Sequence, residues 1–142
     1  MKIAISDIFK KIAETKGDIA KADLLKQYAY PQVLQMIRIG MDPSVKWAFE
    51  KGWKPAYKAN NLVDQEGTLY YEMKFMDKFL VGGRADKIKP EKRKILFMQL
   101  LDTVSPGDAE MLILALEKKI KGLHKKIVDR AFPGLIRETE NA

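Results

Sequence analysis

Three properties of this sequence predict an all-α fold. Apolar residues recur at spacings of three and four along most of the chain, the period of helices with one buried face. Prolines and glycines interrupt that pattern at short intervals, and several prolines stand where a helix can open. No segment alternates apolar and polar residues as a half-buried strand would. With 142 residues, of which 46% are hydrophobic, the expectation is a compact single domain of roughly seven to eight short helices around a real core. That domain is placed at residues 1–136, with a polar, frayed tail at 137–142.

Taken in order, Ile5, Ile8, Phe9, Ile12 and Ala13 share the face of a first helix, which Gly17 ends. A second starts at or beside Asp18, with Leu24, Leu25 and Tyr28 inward. Pro31 suits the first turn of a third, which carries Val33, Leu34, Ile37 and Met41 and stops near Gly40. Asp42-Pro43 reads as an N-cap followed by a first-turn proline, predicting a short helix through Trp47 and Phe49. Lys51 to Gly67 is irregular, with Gly52, Pro55, Asn60 and Asn61, and reads as an ordered loop pinned by aromatics.

Helical pattern resumes at Thr68, with Leu69, Met73, Met76 and Leu80 on one face, and Gly82-Gly83 ends it. Pro90 opens a helix carrying Ile95, Leu96, Met98, Leu101 and Val104. Ser105-Pro106-Gly107-Asp108 reads as a turn feeding a helix with six consecutive apolar residues, Met111 to Leu116. An apolar run that wide predicts a central helix covered on most sides. The last helix is expected to begin near Gly122 and to bury Ile127, Val128, Ala131 and Phe132. Phe9, Phe75, Phe79 and Phe97 also fall on apolar faces and are expected in the core.

The chemistry-bearing residues form no coherent catalytic set. There is no cysteine, which excludes disulfides, thiol nucleophiles and thiolate metal sites. The one histidine, His124, has no triad or metal partner at a recognised spacing. Glu14, Asp18 and Asp23 read as solvated helix faces and caps. Gly82-Gly83-Arg84 lacks the spacing of a phosphate-cradling loop. The expectation is a non-enzymatic protein with no cofactor and no metal. Met1 to Ala13 mixes Asp7, Lys10 and Lys11 into its apolar pattern, unlike a signal peptide. The uncharged run Ile95 to Leu101 is too short to span a bilayer. A cytoplasmic protein without membrane contact is therefore expected.

The charge is lopsided: 26 Lys and Arg against 19 Asp and Glu, a net +7. A polyanionic partner fits that balance. Lysine pairs at Lys118-Lys119 and Lys125-Lys126 flank Lys121-Gly122-Leu123. Exposed amides at the start of a helix there would make a phosphate-binding surface. A second basic run holds Arg84, Lys87, Lys89, Lys92, Arg93 and Lys94. It reads either as a solvated loop and helix start or as a phosphate contact. Trp47, Trp53 and Tyr57 lie among Lys46, Lys51, Lys54 and Lys58. The rings either anchor the loop to the core or fix its shape so that its lysines reach phosphates. They are few for a single-strand stacking track.

The order of these features resembles the N-terminal, all-helical DNA-binding domain of ATP-dependent DNA ligases, especially those of tailed phages. The resemblance spans most of the chain. It rests on the opening helix pair, on Lys51-Gly52-Trp53-Lys54-Pro55, and above all on Ile120-Lys121-Gly122-Leu123 followed by Ile127, Val128, Ala131, Phe132, Pro133, Gly134, Leu135 and Ile136. It implies a domain that holds duplex DNA from the minor-groove side through backbone contacts. Lys121, Gly122 and Leu123 would then approach the phosphates, with Lys54 and Lys58 on the DNA-facing loop. A ligase also needs a nucleophilic lysine in Lys-x-Asp-Gly. The nearest match here, Lys16-Gly17-Asp18-Ile19, has isoleucine in place of the glycine and reads as a helix–turn–helix junction.

The sequence-level expectation is thus a free-standing, phage-encoded module that binds double-stranded DNA through Lys54, Lys58, Arg84, Lys87, Lys119, Lys121, Gly122, Leu123, Lys125 and Lys126. The alternative is an adaptor docking on replication or transcription machinery, a sliding clamp or RNA polymerase. An exposed apolar patch of several hundred Å2 would favour the adaptor. With the lysine motif broken, incubation with labelled ATP should leave the protein unlabelled. A covalent adduct on Lys16 would overturn that expectation.

Overall fold

A computed structural model describes residues 3–59 and 67–136. Among them are seven α-helices: α1 Ile5–Glu14, α2 Asp18–Gln27, α3 Pro31–Met41, α4 Thr68–Glu72, α5 Pro90–Thr103, α6 Pro106–Leu116 and α7 Lys125–Ala131. Two 3₁₀ helices, Met73–Phe79 and Arg84–Lys87, lie between α4 and α5. Asn60, Asn61 and the tail at 137–142 fall outside the described residues.

Helix α6 is the centre of the fold and packs against α1, α3 and α5. It buries Asp108, Ala109, Met111, Leu112 and Ala115, with Ile113, Leu114 and Leu116 half-buried, as its apolar run predicts. Pro106 is its first residue, so Pro106-Gly107-Asp108 is the first turn of the helix and not a turn preceding it. The buried face of α1 is Ile5, Ile8, Phe9 and Ile12. Helix α2 packs chiefly on α7. Where α3 crosses α6, a Cβ on Gly40 would run into Ile120 and lie 3.2 Å from the Ala115 methyl. The glycine is what lets the two helices approach.

A buried carboxylate joins α6 to α1. The N-cap of α1, Ala4, has no side chain that can cap. The Ser6 amide instead donates to Asp108 Oδ1 at 2.8 Å, from 102 residues away in sequence. An N-terminal amide that a local Ser or Asp would ordinarily satisfy is thus satisfied by tertiary structure. Close by, the Tyr70 hydroxyl donates to the Ile3 carbonyl at 2.7 Å.

Four local expectations are corrected. Residues 43–49 are not helical. The Asp42 carboxylate does accept from the Ser44 amide (2.8 Å) and hydroxyl (2.7 Å), but the chain turns only once, through Val45 N–H to Asp42 C=O at 3.1 Å. It then pairs Trp47 with Leu80 in an isolated antiparallel bridge. That bridge uses Ala48 N–H to Phe79 C=O (2.7 Å) and Val81 N–H to Lys46 C=O (2.8 Å). Backbone groups committed across the chain cannot also close helical turns.

The helix from Thr68 is α only to Glu72 and tightens into 3₁₀ over Met73–Phe79. Its buried residues are accordingly Met73, Met76 and Phe79, spaced by three as that helix requires. Phe79 takes the inward place expected for Leu80, which is half-buried. The last helix starts at Lys125 and not near Gly122. Finally, Phe75 and Phe132 are half-buried, whereas Phe9, Phe79 and Phe97 are core residues. Ile127, Val128 and Ala131 face inward as expected.

Burial, and then the nearby Tyr30, Asp108 and Tyr28, push the Tyr70 phenol from its ordinary 10.0 up to about 12. A raised folded value means the contribution is fully present below pH 10.0 and is lost as pH rises through about 12. An alkaline absorbance titration of the folded protein should show a late phenolate phase. Tyr70→Phe should remove its latest part, leaving the contribution of the raised Tyr57 phenol.

Candidate functional site

The lysine at the end of α6 organises the neighbourhood of a groove beside the Trp loop. Helix α6 ends with Lys118 amide to Ala115 carbonyl (3.0 Å) and Lys119 amide to Leu114 carbonyl (2.8 Å), the paired bonds of a Schellman motif. The motif needs one left-handed residue, ordinarily glycine. Here it is Lys118, the one non-glycine residue with positive φ (58°) among those described. A side chain in that conformation costs about 1 kcal/mol. The Lys118 ammonium offsets this by donating to the carbonyls of Ile39 (3.0 Å), Asp42 (3.0 Å) and Val45 (2.8 Å). All three of its donors are used. It thereby caps the C-terminus of α3, where a cation is favoured by the helix dipole. Burial pulls the ammonium below the ordinary lysine range, and the Asp42 carboxylate opposes that pull.

The segment held in this way is the Trp loop. Trp47 Nε1 donates to the Ile39 carbonyl at 2.9 Å, sharing that oxygen with Lys118. The rings of Trp47, Phe49, Trp53 and Phe79 gather around the fully buried Phe97, with centroids 5.7, 5.4, 6.1 and 5.2 Å from it. Phe49 stacks on Trp53 at 4.7 Å. The anchoring role weighed for Trp47 and Trp53 is therefore what the geometry shows. Tyr57 is half-buried. Its phenol is raised by burial, then by Glu110 and Asp102.

Between the Trp loop and the end of α6 runs a groove of about 600 Å³. Met41, Val45, Trp47, Phe49, Trp53 and Leu116 give it apolar walls, and Lys46, Lys51, Lys54 and Lys119 stand along it. Its two carboxylates are engaged: Glu50 by Lys94, and Glu117 by Lys54 at 3.8 Å. Among the described residues, Lys46, Lys51 and Lys119 have no carboxylate partner.

The sequence-predicted site residues divide sharply. Lys54 and Lys119 come together in this groove. Lys58 is exposed farther along the same loop and is not part of its lining. Arg84 forms a bidentate pair with Asp77 (2.7 and 2.5 Å) beside the Phe75 ring. Its hydrogen bond holds the Asp77 carboxyl below the usual carboxylate range. Lys87 is exposed on the second 3₁₀ helix. Lys121 lines a separate cleft with Lys10, between α1 and α6. Lys125 is bonded to Asp129 at 2.6 Å, while Lys126 is exposed.

Gly122 and Leu123 do not present amides at a helix start. Leu123 is buried. Gly122, at φ +76°, has no room for a side chain, since a Cβ would lie 2.6 Å from Ala13 Cα. Its carbonyl accepts from Lys21 at 2.9 Å. The Gly-Leu step is therefore a packing joint between α1, α2 and the α6–α7 connection. In the sequence Lys118 is one of a lysine pair and does not stand out. The usable signal was the absence of glycine at the end of a strongly apolar helix.

A family model matches residues 8–122, so the chain belongs to DUF6433, a family of unknown function. The match takes in both walls of the groove and stops before α7. A search of curated proteins finds no match. No helix among the described residues is long and apolar enough to cross a membrane.

Replacing Lys118 tests its two opposed contributions. Lys118→Met keeps the left-handed strain and removes the three hydrogen bonds, and should destabilise by about 2 kcal/mol. Lys118→Gly loses the same bonds but relieves about 1 kcal/mol of backbone strain. Urea denaturation should therefore rank wild type above Gly and Gly above Met. A Met variant as stable as wild type would remove the capping role.

Proposed function

We propose that this protein is a non-enzymatic DNA-binding module that grips the phosphate backbone of a duplex with little sequence preference. The observation that carries the reading is the lysine-lined groove. Lys46, Lys51 and Lys119 are free of carboxylate partners there among the described residues, and Lys54 is only loosely held by Glu117. Flexible ammonium groups around a rigid concavity suit phosphates as point charges. The net charge of +7 has the right sign. Of the residues that the resemblance to phage ATP-dependent ligases would place on DNA, Lys54 lies in this groove, whereas Lys121, Gly122 and Leu123 do not. On this reading the protein is phage-encoded and works in the host cytoplasm. The engaged cations, Arg84 and Lys125, and the packed Gly122 and Leu123 lie outside the interface; the Trp loop and Lys119 form it.

The adaptor alternative, docking on a sliding clamp or RNA polymerase, draws less support. The exposed large apolar residues Ile19, Tyr71, Val81 and Ile95 stand on four separate segments of the chain.

Titration of unrelated duplexes should give similar affinities. Those affinities should fall with salt by roughly 0.9 log units per log unit of salt for each phosphate contact. Lys46→Glu, Lys51→Glu and Lys119→Glu combined should leave the circular dichroism unchanged, since exposed substitutions each cost within about 0.5 kcal/mol, and should abolish binding. Glutamates at Lys121, Lys125 and Lys126 should weaken it far less. Reversal of that order would move the interface to α7. No binding at low salt would sink the proposal.

A further inference from the structure

We infer that the groove beside Trp53 takes an unpaired nucleotide segment of DNA, so that the protein favours duplex ends and gaps over uninterrupted duplex. The inference rests on the DNA-binding reading of the same groove and adds what enters it. The first observation is size. A concavity of about 600 Å³ belongs to the class of pockets that enclose small organic ligands. It has room for one or two nucleotides, whereas a duplex can only lie across its rim.

The second observation is lining. A surface serving phosphates alone has no use for an apolar floor, yet Met41, Val45, Leu116 and the rings of Trp47, Phe49 and Trp53 form one here. Paired bases bury their faces in the stack and cannot reach such a floor. Unpaired bases expose those faces and stack on aromatic side chains without regard to sequence. Trp53 has Phe49 stacked against it and the Lys94 ammonium 5.5 Å from its ring centre, yet it is only half-buried and lines the groove.

The third observation is charge placement. Lys46, Lys51 and Lys119 line the same groove as these rings and can meet the phosphates on either side of an inserted base. Aromatic floor and cationic rim together match the two halves of a nucleotide. The rings suffice for one or two bases, which limits the segment to an overhang or short gap and excludes a long single strand.

The protein supplies its own reporter, since its two tryptophans, Trp47 and Trp53, both line the groove. The full chain is titrated with a blunt duplex, the same duplex carrying a short thymidine overhang, and the thymidine oligonucleotide alone. Fluorescence anisotropy of the DNA reads binding, and tryptophan emission reads the groove. The overhang duplex should bind about tenfold more tightly than the blunt one and should change the tryptophan emission, which the blunt duplex should leave nearly unchanged. Trp53→Leu should abolish the preference, and Trp53→Phe, which keeps an aromatic surface, should retain part of it.

Equal affinity for blunt and overhang duplexes, with no difference in emission, overturns the inference and leaves backbone binding standing. A preference that survives Trp53→Leu also overturns it. Binding of the oligonucleotide with an emission change, and none of the blunt duplex, supports the inference and refutes the duplex reading. Failure of all three DNAs to bind refutes both. If the Trp53→Leu variant does not fold, the wild-type emission comparison decides alone.

Discussion

Three hydrogen bonds from one ammonium hold the junction of α3, α6 and the Trp loop. Lys118 closes α6 in a conformation that glycine would adopt more readily, and from there reaches the carbonyls of Ile39, Asp42 and Val45. Those oxygens belong to the last turn of α3, its C-cap and the chain just beyond it. The bonds therefore settle where α3 stops, how the Trp loop leaves it, and how both sit against the central helix. Gly40 acts at the same place by allowing α3 close to Ala115 and Ile120. Close approach brings the lysine within reach, and the lysine satisfies carbonyls that the helix end leaves open.

The loop that leaves this junction is irregular yet well fixed, and the reason is aromatic packing. Phe97 on α5 gathers four rings from two stretches of chain distant in sequence. Such ring pairs are worth about 0.5–1.5 kcal/mol each beyond the area they bury. The two backbone bonds at Trp47 and Leu80 add direction to that adhesion. A segment without helix or sheet thus becomes one wall of a groove whose opposite wall is the rigid end of α6.

The sequence was a good guide wherever stability is local and periodic. Helices α1, α3 and α5 announce themselves by recurring apolar residues and α6 by its continuous apolar run, and a proline or acidic residue marks the start of each. It misled wherever a distant group supplies the decisive bond. Asp42-Pro43 has the chemistry of a helix start, but Lys46 commits its carbonyl and Ala48 its amide to the Phe79–Val81 stretch. Gly122 looked like a backbone approach to phosphate, and the backbone it approaches is Ala13 in α1. Asp108 looked like part of a turn and proved to cap a helix 102 residues earlier. For the site, Lys54 was legible as a cation among aromatics, and Lys119 only as half of a lysine pair beside the Gly-Leu step. The separation of engaged from free cations was not, because Asp77, Asp129 and Glu117 find their partners only in the fold, even where, as with Asp129, they are near in sequence.

That separation bears on what the groove can do for an anionic ligand. Lys118 contributes positive charge beside the groove from a side chain already ordered by three bonds, so it loses no rotamer freedom when a ligand arrives. Lys46, Lys51 and Lys119 are exposed, and each would give up conformational entropy on closing over a phosphate. A fixed cation at the end of α6 and mobile ones around it divide two tasks, raising the local potential and following the shape of the ligand. The aromatic floor is fixed as well, since Trp47 is tied by its indole N–H and Trp53 is stacked on Phe49. The preorganised elements are thus those that an apolar ring would meet, and the adaptable ones are those that phosphates would meet. Rigid walls with a flexible cationic rim suit a ligand whose flat, repeating part is always alike and whose charged backbone can vary in path.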